Sequence, residues 1–68
     1  MAKRLFVVTA PFTAVHRETG GQRTLKAGES LFGEFPVPSV GIVSFEQDNQ
    51  EFQVNASTFL TSTTLAAR

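Results

Sequence analysis

The sequence predicts a small all-β domain, and three observations carry that prediction. Apolar residues recur with a period of two over short segments such as "RLFVV" and "SLFGEF". Phe, Val and Thr, all strand-favouring, dominate those segments. Turn residues follow at close spacing, at Gly20-Gly21, Gly28, Pro36, Pro38, Gly41 and Asp48-Asn49. With 68 residues and no cysteine, the chain has room for one domain, residues 1–68 with an ordered core over about 4–65. That is close to the size at which a core without disulfides or metal is marginal.

The first strand is expected over Arg4–Ala10, with Leu5 and Val7 on one face and Phe6 and Val8 on the other. Pro11 ends it or bends it, since its ring leaves no N–H for a ladder. A strand apolar on both sides is covered on both sides, or presents its second face to another molecule. "FTAVHRETGGQRTLKAG" reads as a hairpin around Gly20-Gly21, where both residues tolerate positive φ. A two-residue turn there sets Glu18 opposite Arg23. Ala27-Gly28 gives the next turn and Ser30–Phe35 the next strand, after which Pro36 and Pro38 make a loop or a sheet edge.

"GIVSFEQDNQEFQV" is a second hairpin. An even loop centred on Asp48-Asn49 pairs Val43 with Val54, Phe45 with Phe52 and Glu46 with Glu51, whereas an odd loop would set Phe45 against Gln53. The even register has a drawback, because the opposed carboxylates repel by about a few tenths of a kcal/mol. Asn55 and Ser57 can cap a single helical turn over Asn55–Leu60. Thr61–Leu65 makes a last short strand, and Ala66–Arg68 are expected to fray.

"LKAGESLFGEF", leading from a turn into a strand, and "GIVSFEQDNQEFQVNASTF", leading from a tight hairpin into a helical turn, resemble Src-homology-three-like small barrels. The resemblance covers residues 4–65 and implies a five-stranded, partly open barrel with one short 3₁₀ turn. It does not bring proline-rich-peptide binding with it, because that activity uses Tyr and Trp in an aromatic-lined groove and this sequence has neither. The same segments also resemble Sm-like RNA-binding rings, but without that family's N-terminal helix and with Pro36 and Pro38 interrupting the strand that should bend smoothly.

Residues that carry chemistry are few and scattered. His16 is the sole histidine and Asp48 the sole aspartate in the sequence, and they belong to different hairpins, which argues against a Ser-His-Asp arrangement. One histidine cannot hold zinc alone. The acidic tip of Glu46, Asp48 and Glu51 lacks the glycine-punctuated loop that calcium sites use. Gly20-Gly21 has no Lys-Ser/Thr and helix after it to cradle a phosphate. No catalytic residue, metal, cofactor or small-molecule substrate is therefore expected. No run approaches the roughly 18–20 apolar residues of a membrane span. The short apolar run behind Lys3 and Arg4 stops at Pro11, too soon for an export signal. A cytoplasmic protein is expected.

Charge is segregated along the chain, with a net +4 through Gly28 and a net −4 after it. The seven phenylalanines outnumber the aromatics that a barrel of this size buries, about one or two being left at the surface. Phe6, Phe12 and Phe35 are the candidates, and with Arg4 and Arg17 they form the expected binding residues. The expected function is a non-enzymatic interaction module that takes a protein partner or self-associates as a homo-oligomer. The alternative is nucleic-acid binding through the basic N-terminal half, with bases stacked on exposed rings. The first predicts exposed Phe without clustered cations, and the second predicts both on one face.

Overall fold

The structure is a computed structural model and describes residues 2–66. Strands β1 (Ala2–Val8), β2 (Phe12–His16), β3 (Gln22–Leu25), β4 (Ser30–Phe35), β5 (Ile42–Gln47) and β6 (Gln50–Asn55) are followed by helix α1 (Ala56–Ser62) and strand β7 (Thr63–Leu65). They form one sheet in the order β3-β2-β6-β5-β4-β1-β7, antiparallel throughout and curled into an open half-barrel. The all-β class is as expected, but the expected five strands are seven among the described residues. Taken one by one, the strands expected from the residues also number seven, and the count of five belongs to the small-barrel resemblance alone. β2 pairs with β6 through Val15↔Gln53 and His16↔Phe52, so the β2–β3 hairpin belongs to the same sheet.

β1 ends at Val8, two residues before the expected Ala10. Its last backbone groups are taken there: Val8 N–H donates to Glu29 O and Val8 O accepts from Gly28 N–H, both at 2.8 Å. Thr9 N–H then turns to Ser62 O.

The β5–β6 hairpin has the expected register, with Val43↔Val54, Phe45↔Phe52 and Glu46↔Glu51 opposed. Its turn is the two-residue form, and Asp48 and Asn49 take φ of 55° and 63°. Both values are left-handed, which the primed hairpin turns require and which Asp and Asn tolerate best among residues with a side chain.

The β2–β3 hairpin departs from expectation. Ala14, not Glu18, opposes Arg23, and residues 17–21 form the loop. The imidazole of His16 explains the longer turn: its Nδ1 accepts the N–H groups of Glu18 and Thr19 at 3.2 and 3.3 Å, while His16 O accepts Gly20 N–H at 2.9 Å. Donors that a tight turn would leave to solvent are satisfied locally instead.

Five phenylalanines, Phe6, Phe12, Phe45, Phe52 and Phe59, line the concave side with Leu25, Leu31 and Val43. Phe45 and Phe52 stack at 5.6 Å, and Phe59 meets Phe6 edge-on at 5.1 Å. Gly33 lies beneath this contact, where an added Cβ would come within 2.9 Å of Phe59 Cζ; the close approach needs a residue without a side chain.

The turn expected as 3₁₀ is a seven-residue α-helix. Asn55 caps it as expected, its Oδ1 accepting from Ser57 N–H at 3.0 Å. At the other end the Thr63 hydroxyl and backbone N–H both donate to Phe59 O. The helix runs through Ser62, so β7 begins at Thr63 and not at Thr61. Ala66, expected to fray, donates its N–H to Leu5 O at 2.9 Å; Ala67 and Arg68 lie outside the described residues.

Candidate functional site

Strand alternation decides what the convex side of the sheet presents. β1 turns Phe6 and Val8 inward and leaves Leu5 and Val7 outside; β4 turns Leu31 and Gly33 inward and leaves Phe32 outside. Leu5 and Phe32 are directly opposed in the β1–β4 ladder. They are 42% and 51% exposed, so two large apolar side chains form one small patch. Phe32 in turn opposes Glu46 on β5, and Lys3 reaches that carboxylate at 3.2 Å. The patch is therefore apolar at its centre and charged at its border.

A second exposed aromatic stands at the end of β4. Phe35, the last residue of β4, carries the Arg4 guanidinium over its ring at 5.4 Å from the centroid, within cation–π range. Beyond it an uncharged loop, residues 36–41, leads to Ile42, and Val40 and Ile42 are both exposed.

Of the residues expected to bind, Arg4 and Phe35 come together at the surface, but Phe6 and Phe12 do not join them. Both are core residues, 4% and 6% exposed, which corrects the expectation of a contact surface at those two positions. Phe6 faces inward by alternation in β1, and Phe12 packs against Phe45 at 6.0 Å. Arg17 lies in the β2–β3 loop, where its guanidinium binds Glu51 on β6 at 2.9 Å; β6, β5 and β4 separate β2 from the strand that carries Arg4.

The charge segregation seen along the sequence is undone in space. Lys3–Glu46, Arg17–Glu51 and Arg23–Asp48 each join a cation of the basic half to a carboxylate of the β5–β6 hairpin. Among the described residues only Arg4 and Lys26 are cations outside an ion pair. The five basic side chains thus do not form one uncompensated face.

Polar groups gather where β3, the β3–β4 turn and the end of β5 meet, around an open hollow of about 520 Å³. Gln47 bridges it, accepting from Arg23 at 3.0 Å and donating to Glu29 Oε1 and Ser30 O at 3.1 and 3.0 Å. Glu29 Oε2 accepts Lys26 N–H at 3.0 Å. These groups satisfy one another, and the network reads as a structural brace across the open side of the sheet. His16 and Asp48 are engaged separately, His16 edge-on to Phe52 at 5.1 Å and Asp48 with Arg23. Among the described residues no three His, Cys, Asp or Glu side chains gather as metal ligands would, and no helix is long and apolar enough to cross a membrane.

Comparison with protein-family models, with curated proteins and with solved structures finds no match to this chain.

Phe32 is the surface residue that sequence reasoning missed. Its signal is the adjacent pair Leu31-Phe32 within a strand, since alternation must turn one of the two outward. The same rule applied to β1 points to Leu5.

Proposed function

We propose that this chain is a non-enzymatic protein-interaction module on a Src-homology-three-like small barrel, and that its contact face is centred on Leu5 and Phe32. The observation that carries the proposal is the direct opposition of these two exposed apolar side chains on a sheet face that nothing among the described residues covers. Interface centres are apolar and aromatic with a polar rim, and the patch has that composition, with Lys3 and Glu46 at its border. Arg4 and Phe35 share the register of Phe6 and Gly33 on β1 and β4, so they lie on the other side of the sheet and outside this face. Support for a protein partner over nucleic acid comes from the ion pairs. Three of the five cations of the basic half are already matched by carboxylates, and a phosphate backbone would have to compete with them.

Two measurements test the reading. The purified chain is titrated with mixed-sequence single- and double-stranded oligonucleotides at low and physiological salt. In parallel, proteins retained by the immobilised chain from an extract of its source cells are identified, purified and rebound to wild type, Leu5→Ser and Phe32→Ser. The expected result is weak or absent oligonucleotide binding, with a purified partner whose affinity survives salt and falls by tenfold or more in the variants, roughly the loss of one interface anchor. Oligonucleotide binding that weakens steeply with salt, by about −0.9 in log–log slope per phosphate neutralised, would overturn it.

A further inference from the structure

We infer that the partner fitting the Leu5–Phe32 face is a second copy of this chain, docked face to face about a two-fold axis. The inference rests on the reading of that face as a contact surface and adds the identity of what covers it. Three features point to a copy. The first is charge: the net charge is zero, so two copies approach without the repulsion that keeps like proteins apart. The second is the local charge pattern. The border of the patch carries both signs, with Lys3 opposite Glu34 in the β1–β4 ladder and bonded instead to Glu46. Glu34 is in no ion pair among the described residues. The two-fold that sets Phe32 over Leu5 also sets Lys3 of each copy over Glu34 of the other, as a self-complementary surface must.

The third feature is shape. Leu5 and Phe32 are neighbours in one cross-strand row, a small side chain beside a large one. Two sheets packed face to face interdigitate their side chains. Reversal by the two-fold sets the ring of Phe32 over Leu5 of the second copy, twice, so that large meets small at both positions. The contact is limited in size. A standard stable interface takes about 800 Å² from each partner, close to a fifth of the 4211 Å² surface of this chain. A weak, concentration-dependent dimer is the expected species.

Sedimentation equilibrium of the full chain, from roughly 1 µM to 1 mM, spans the range in which a contact below standard size dissociates. The expected result is a monomer–dimer equilibrium, with the dimer growing at the high end. Phe32→Glu and, separately, Leu5→Glu should each weaken it by about tenfold or more. Both sites are surface positions, and circular dichroism of each variant should match wild type. Val15→Glu is the control: it adds the same charge to an exposed apolar position of the same convex face on β2, with β6 and β5 between it and β4. That variant should dimerise as wild type does. A chain that stays monomeric throughout, a dimer indifferent to both patch variants, or a Val15→Glu effect equal to theirs would overturn the proposal. So would open-ended growth beyond the dimer. If the chain is monomeric yet binds a purified partner through Leu5 and Phe32, the second copy is ruled out and the interaction reading stands.

Discussion

The β5–β6 hairpin is held by six opposed residue pairs, from Ile42↔Asn55 to Gln47↔Gln50, while the β2–β3 hairpin has four and a longer loop. In the first, Val43 with Val54 and Phe45 with Phe52 form buried apolar pairs inside the ladder. A slip of one residue would turn a ring out of the core, so the register is strongly specified. In the second, the inward apolar pair is Phe12 with Leu25 at the end away from the loop, and the next inward pair sets Ala14 beside Arg23. The loop end is set by the backbone bonds gathered on His16, by Arg17 N–H donating to Glu51 O at 2.9 Å, and by the Arg17–Glu51 ion pair. Apolar pairs fix one hairpin and polar clasps fix the other.

Five substitutions probe that difference. The largest effect is expected from Phe45→Ala or Phe52→Ala, each losing about 3–5 kcal/mol as a large cavity opens in the core. That is the whole margin of many domains of this size, and denaturant titration should show a largely unfolded variant. Two mild losses would mean that the hairpin does not anchor the core. His16→Ala should cost about 1 kcal/mol by removing the acceptor for two backbone donors. Its signature is local: amide exchange at Glu18 and Thr19 should speed up while the amides of Phe45 and Phe52 stay protected, and uniform acceleration would contradict the clasp.

Smaller changes test the turn and the rim. Asn49→Gly should stabilise the β5–β6 hairpin by about 0.5 kcal/mol, because glycine takes the left-handed φ there without steric strain; a lower midpoint in urea would refute this. The smallest effect belongs to Glu46→Lys. Repulsion between Glu46 and Glu51 would make this change stabilising, but in the folded chain each carboxylate already has its own cation, Lys3 and Arg17. The substitution removes one exposed pair and brings a second ammonium near Lys3. The expected result is no gain, within about 0.5 kcal/mol of wild type, and a gain of about 1 kcal/mol or more would show that the repulsion outweighs both ion pairs.

What was legible in the sequence follows the same division. Alternation and turn residues gave the β class, β4 to the residue, the β5–β6 register and the Asn55 cap, because each rests on local backbone preference or on matched apolar pairs. The β2–β3 register was not legible, since its arbiter is a histidine side chain folding back on its own loop. The extent of α1 was missed because its last turn depends on Thr63 and on Phe59 finding the core. At the candidate site, Arg4 with Phe35 could be read as surface, but Phe6 and Phe12 could not be told from Phe32 by composition. Which face of a strand is buried depends on the neighbours that cover it, and Phe59 on α1 covers Phe6 from far along the chain.

The three ion pairs have a consequence for the chain before it folds. Each spans a long stretch of sequence, with separations of 43, 34 and 25 residues, because one half carries the cations and the other the anions. The denatured chain is thus a two-block polyampholyte whose halves attract each other, so its ensemble should be more compact than that of the same residues with their charges shuffled. Added salt should swell it as screening lengths shorten to about 10 Å near 0.1 M. The same salt weakens the exposed ion pairs of the folded form, so folded and denatured states lose attraction together and the stability of this domain should vary little with ionic strength.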